Sequence, residues 1–304
     1  MQTDGRYIRF DWAIKRMLRD KANFDVLEGM ISVFTGEQGV KIIELLESES
    51  NQETFDDKFN RVDIKAKNSR DEIIIVEVQL SREVHYIERM VYGVSKAITE
   101  QLKLGEPYYN IKKVYSINVV YFDLGKGSDY LYHGQVELRG VHTHDVLSVT
   151  NTEEQAMQLP AHGTARRMKP FTDIFPEYYL IRVNEFNTYA KTPIEEWMAY
   201  LKDGVIKEDT RTPGLAEAKE KLKYMMMSDA DRHAYERHID AIMIQNDVVD
   251  SAKEEAREEG RALGRAEERI KVTTETAKKM KADNMPIDII TKYTGLTAEE
   301  IEKL

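Results

Sequence analysis

Asp63 and Glu77 stand in the segment RVDIKAKNSRDEIIIVEVQL, residues 61–80, whose pattern would bring two carboxylates together. Residues 73–80 are almost wholly apolar, as expected of a buried strand, and Glu77 and Gln79 interrupt that run. The turn-forming residues Asn68, Ser69, Arg70 and Asp71, with Glu72, make a hairpin loop of about five residues. That loop pairs Lys67 with Ile73 and therefore Asp63 with Glu77. Opposed residues in an antiparallel pair have Cβ atoms about 5 Å apart. By alternation, Asp63, Lys65, Glu77 and Gln79 share one face, and Ile74, Val76, Val78 and Leu80 point the other way into a core. A carboxylate on a buried strand is costly unless compensated. A hard divalent cation is one compensation: Mg²⁺ takes one or two carboxylates, keeps waters and leaves room for phosphate oxygens. An ordinary buried ion pair of Glu77 with Lys65 or Arg61 is the other, and the hairpin alone leaves both open.

Stepping outward, residues 10–20 carry helical periodicity through Trp12, Ile14, Met17 and Leu18, and residues 24–34 read as a second helix ending near Gly36. Residues 40–47 fit strand or helix equally well. A long helix over 83–104 follows the hairpin, stopped by Gly105 and Pro107, with Tyr86, Met90, Gly93 and Ala97 as its packing stripe. Residues 115–124 alternate as a strand, further strands fall across 131–150 and at 175–186, and residues 193–204 form a helix with Pro193 at its start and Gly204 at its stop. The result is a mixed sheet flanked by helices.

From about residue 214 the chain is rich in helix formers. Arg257, Arg261, Arg265 and Arg269 recur every fourth residue among glutamates, the mark of a solvated helix laced by ion pairs. The end, DNMPIDIITKYTGLTAEEIEKL, reads as a helix–turn–helix with Thr297 and Glu300 as a capping box. Its second helix is too acidic to enter a DNA groove, which favours packing or oligomerisation.

The spacing D-x13-E-x-Q on a hairpin resembles the PD-(D/E)XK nuclease superfamily, and within it the transposase-like branch of recombination-promoting nucleases. RYIRFDWAIKRML resembles the opening of that branch. VEVQ stands where the branch commonly has IEMQ, and ITEQLKLGEPYYNIKKVYSINVVYFDL is similar to the segment that follows. REEGRALGRAEE is typical of its C-terminal half. The resemblance implies a restriction-endonuclease-like α/β domain over residues 1–205, followed by a helical region over 206–304, for which the acidity of its last helix favours homo-oligomerisation. It implies an endodeoxyribonuclease that hydrolyses DNA phosphodiesters with Mg²⁺, or Mn²⁺ in its place, and a role in recombination or mobile elements. Asp63 and Glu77 would be the metal ligands. Gln79 would stand where most of the superfamily has lysine, and Lys65 or Lys96 could supply the missing charge. Asp11 is either an upstream acid or the N-cap of the helix from Trp12. The contrary reading is a non-catalytic DNA- or protein-binding scaffold that keeps the fold. A three-carboxylate transposase would need a third acid that no residue marks.

Composition narrows the rest. There is no cysteine, so there is no disulfide framework and no thiolate chemistry. His133, His142 and His144 lack a further ligand at zinc-site spacing. No apolar run approaches the roughly 20 residues of a membrane span, and no signal-peptide core opens the chain, so a cytoplasmic protein is expected. The net charge of −10 argues against a whole-surface nucleic-acid binder. Contact with phosphates would fall to local basic clusters: Arg6, Arg9, Lys15, Arg16, Arg19 and Lys21; Lys112 and Lys113; and Arg166, Arg167 and Lys169.

Overall fold

The computed structural model describes residues 7–46, 62–147 and 173–304. They form two compact units, Met1–Arg232 and His233–Leu304. In the first, six strands among the described residues make one mixed sheet in the order β1 (Ile42–Leu45), β2 (Ile64–Asn68), β3 (Ile73–Gln79), β4 (Val114–Val120), β6 (Glu177–Arg182), β5 (Leu131–Gly134). The first three strands are antiparallel, β3, β4 and β6 run parallel, and β5 closes the far edge antiparallel.

The β2–β3 register is the predicted one: Lys67 pairs with Ile73 and Ile64 with Val76. Asn68 secures it. Its Oδ1 accepts the backbone N–H groups of Arg70 and Glu72, each at 2.9 Å, and Asp71 takes a left-handed φ of 63° to complete the turn. Asn68 thereby belongs to β2 and organises the turn from its last position, leaving Ser69 to Glu72 as the loop. This is the local backbone competition through which Asn favours turns. Of the segment that fits strand or helix equally well, Ile42–Leu45 is the strand β1, paired with β2.

Between β3 and β4 runs α3 (Tyr86–Thr99), as the crossover of a parallel pair requires. It buries Tyr86, Gly93, Val94 and Ala97, and Val94 and Ala97 pack on Ile73 and Ile75. The sheet face carrying Glu77 is therefore covered by a helix over most of its length, and both faces of β3 are core. The run from Ile73 to Val78 is buried as expected of it, whereas Leu80, expected in the core, lies beyond β3 and is only half-buried. α3 ends at Thr99, short of the expected 104. The Gln101 side chain there binds the Lys112 backbone through both its groups, at 2.7 and 3.1 Å, and pulls the chain out of the helix. β4 is buried at every position, because it has parallel neighbours on both sides and a covered face on each.

The same unit holds α1 (Phe10–Arg16), α2 (Phe24–Thr35), α4 (Pro193–Asp203) and α5 (Leu215–Lys221), and α2 packs against α4 and α5. Phe10 meets Trp197 and Tyr200 edge-on, at 6.0 and 6.4 Å between ring centroids. α2 and α5 approach so closely that a Cβ on Gly29 would fall 2.0 Å from the Gly214 backbone nitrogen. Ile8 N–H donates to Leu222 O at 2.8 Å, tying the N-terminal segment to a residue well beyond 205, and the Tyr200 hydroxyl donates to Ile8 O at 2.6 Å.

The second unit holds all but the first turn of α6 (Asp229–Ala282), whose end packs against α7 (Ile287–Thr294) and α8 (Ala298–Glu302). Ala277, Ile290 and Ile301 form a small core there. Gly295, with φ 71°, makes the turn, and Thr297 and Glu300 form the capping box expected of them. No helix among the described residues is long and apolar enough to cross a membrane.

Candidate active site

Continuing the β2–β3 register by one residue puts Asp63 opposite Glu77. Asp63 lies just before β2, and its Oδ2 accepts the backbone N–H of Val78 at 2.7 Å, so the side chain takes over from the ladder where the strand pairing stops. Glu77 sits inside β3, between β2 and β4, and is 5% exposed. Its neighbour on β4 is Asn118, which accepts from the Tyr86 hydroxyl at 3.2 Å and donates to Ser116 Oγ at 2.9 Å. Burial pushes the Tyr86 phenol well above its usual range, and the Asp63 and Glu83 carboxylates push the same way, so it stays a donor. Gln79 ends β3 on the Glu77 face, half-buried, and its Nε2 donates to Ser81 O at 3.2 Å.

The cations that meet these carboxylates are not the ones expected. The guanidinium of Arg89, on the first turns of α3, is ion-paired with Glu77 Oε1, a buried atom that otherwise has no hydrogen-bond donor. A second guanidinium nitrogen of Arg89 lies 2.5 Å from Glu83 Oε2. Burial holds the Arg89 guanidinium below its usual basicity, against the pull of Asp63. Lys15, on α1, has Nζ 3.7 Å from Asp63 Oδ1, and Arg19 donates to the Asp63 carbonyl at 2.8 Å. Lys65, expected to face Glu77, pairs with Glu100 instead, because its position two residues along β2 lies under the far end of α3. Lys96 sits half-buried on α3, and Arg61 lies outside the described residues.

Other expectations change as well. α1 begins at Phe10 with Arg9 as its N-cap, so Asp11 is no cap; it is buried in the first turn and accepts from Arg9 Nε at 2.8 Å. Lys113 is no phosphate contact: it is 5% exposed and bound to Glu177 at 2.5 Å. His133 faces that same Glu177 at 3.0 Å. Arg6 and the cluster at 166–169 lie outside the described residues. Lys15, Arg16, Arg19 and Lys21 are exposed, and the first and third of these flank Asp63.

Residues 8–160 match the profile of a family described as PD-(D/E)XK nuclease family transposase. The chain belongs to this family. No curated protein and no solved structure matches it. The mixed sheet flanked by helices is consistent with the PD-(D/E)XK α/β fold, and the matched segment spans β1 to β5, including both Asp63 and Glu77.

Nucleases of this fold commonly use divalent metals, and the donor set here fits one. Glu77 Oε1 is a buried oxygen met only by the charge of Arg89, and Asp63 stands opposite it. Among the described residues no group of three His, Cys, Asp or Glu converges on one point. Two carboxylates completed by water and phosphate oxygens is the coordination that suits Mg²⁺.

Residue spacing alone could not reveal Arg89 or Lys15 as partners, but one signal was present. Arg89 lies three residues after Tyr86 and four before Gly93, so it falls on the packing stripe of α3 that faces the sheet.

Proposed function

We propose that this chain is a metal-dependent endodeoxyribonuclease that hydrolyses DNA phosphodiesters, acting in recombination or on mobile elements as its family description suggests. The observation that carries the reading is the pairing of Asp63 with Glu77 across a hairpin, with Glu77 buried in the sheet and met at Oε1 by the Arg89 guanidinium. A Mg²⁺ or Mn²⁺ ion held by these two carboxylates would lower the pKa of a water and stabilise charge on the phosphodiester. The other parts are protein chemistry. Val78 N–H fixes the Asp63 carboxylate, and Gln79 offers amide hydrogen bonds at the same end of β3. Lys15 places a half-exposed ammonium beside Asp63, and takes the role of the lysine that Gln79 replaces. The exposed cations of α1 and its following turn give a phosphate backbone a local track on an acidic protein.

For the helical C-terminal region, the proposed partner is a second copy of the chain. Met243, Ile244, Val248, Leu263 and Ile270 are exposed along α6.

The test of catalysis is nicking of supercoiled plasmid by the purified wild-type chain in Mg²⁺, Mn²⁺ or EDTA. Nicking in either metal and its loss in EDTA are the expected results. DNA binding without nicking in either metal would instead favour the scaffold reading.

A further inference from the structure

We propose that Arg89 is a displaceable internal cation: it competes with the divalent metal for Glu77, and Glu83 is the position to which it withdraws. This rests on the reading of Asp63 and Glu77 as metal ligands. Glu77 cannot move to make room, since its backbone is held between β2 and β4 and its side chain is 7% exposed. Arg89 can move: its side chain is 29% exposed and extends from a helix on a long flexible stem. Its guanidinium already touches two carboxylates, the buried Glu77 and the more open Glu83, whose side chain is 37% exposed. A divalent cation on Glu77 would meet the guanidinium at contact distance, and two like charges there repel strongly in a partly buried site. Sliding the guanidinium wholly onto Glu83 relieves that repulsion without stranding a charge.

The other cations nearby do not fill this role. Lys15 stands at Asp63, and Lys65 is tied to Glu100. Because coupling is reciprocal, whatever draws Arg89 off Glu77 strengthens metal binding there. An anionic phosphate at the mouth of the site is such a group, so metal and phosphate should bind cooperatively through this one side chain.

The experiment is Mn²⁺ binding, followed by electron paramagnetic resonance of the free ion, to the full chain and to a set of variants. Arg89→Gln should bind Mn²⁺ at least about fivefold more tightly than wild type, while Arg89→Lys, which keeps the charge and loses the fork, should lie between them. Glu83→Gln should bind Mn²⁺ more weakly, since Arg89 then has no second acceptor. In the double variant Arg89→Gln/Glu83→Gln, affinity should match Arg89→Gln, because Glu83 acts only through Arg89. Unchanged or weaker binding in Arg89→Gln, with Arg89→Lys also unchanged, would overturn the proposal. So would a Glu83→Gln loss of equal size in both backgrounds, which would make Glu83 a general electrostatic attractor. Glu77→Gln separates the two levels: retained Mn²⁺ affinity there defeats the metal-site reading itself, whereas lost affinity with no effect at Arg89 defeats only this inference.

Discussion

Asp63 and Glu77 are compensated in different ways, and that difference assigns roles to their partners. Asp63 is held by a backbone N–H and two side chains from α1 and the turn after it, and it stays partly open, with 16% of its side chain exposed. Glu77 is deep in the sheet and depends on Arg89. The pairing of the two acids was legible in the sequence because Asn68 and its neighbours fix the turn and strict alternation does the rest. Their cations were not legible, because Lys15 and Arg89 arrive from helices whose docking depends on the whole fold. At this scale Lys15 is the residue to test. Lys15→Ala should lower the nicking rate about tenfold, roughly the effect of losing one favourable charge near a developing anion at an open site. Mn²⁺ affinity should hold or rise slightly, since a like charge is removed. Lys65→Ala should leave the rate nearly unchanged, since Glu100 already engages that lysine. Initial rates and Mn²⁺ titrations on both variants decide the assignment; equal losses in the two would contradict it.

At the scale of elements, the helices and strands near the site were predictable where periodicity and stop signals agree. α2 ends at Gly36 in the left-handed region, and α4 runs from a Thr192–Glu195 capping box to Gly204. Prediction failed where a side chain competes with the backbone, as Gln101 does at the end of α3. It failed again where a charged residue serves the sheet and not the surface. Lys113 is the case: it joins β4 to β6 through Glu177, which also accepts from Tyr179 at 2.8 Å. Burial pushes the Glu177 carboxyl up, but hydrogen bonds from Lys113, Tyr179 and His133 outweigh it and hold the group below its ordinary value of 4.5. A carboxyl whose pKa is lowered by folding adds stability above its unfolded value and loses it as pH falls through the folded one. The wild-type chain should therefore exceed Glu177→Gln in Tm at neutral pH, with the gap closing as pH drops below about 4.5. A constant gap from neutral to acidic pH, measured by thermal unfolding, would remove Glu177 from the account of acid sensitivity.

At the scale of the whole molecule, the sheet domain borrows from the helical region that follows it. Leu215, Ala218 and Leu222 are fully buried, and Leu222 O receives the Ile8 N–H. Nothing in the composition marks this return, since residues 206–232 differ little from the long helix after them. Their contacts appear only once Gly29 and Gly214 allow α2 and α5 to close together. A domain ending at 205 would expose the surface these residues cover. Burying two leucines is worth about 4 kcal/mol, so a chain ending at 205 should melt roughly 10 °C below one ending at 232. Equal melting temperatures would show that α5 contributes no stability and that the domain ends at 205.

The catalysis proposed for this chain depends on Asp63 and Glu77 forming one metal-dependent phosphodiesterase site. Its most direct test is the initial rate of supercoiled-plasmid nicking in Mg²⁺ by wild type, Asp63→Asn and Glu77→Gln, purified identically and checked for native folding. Both substitutions keep shape and remove one anionic ligand oxygen. The expected result is nicking by the wild type and a loss of at least about a hundredfold in each variant. Wild-type nicking retained in both folded variants would place the chemistry elsewhere in the chain.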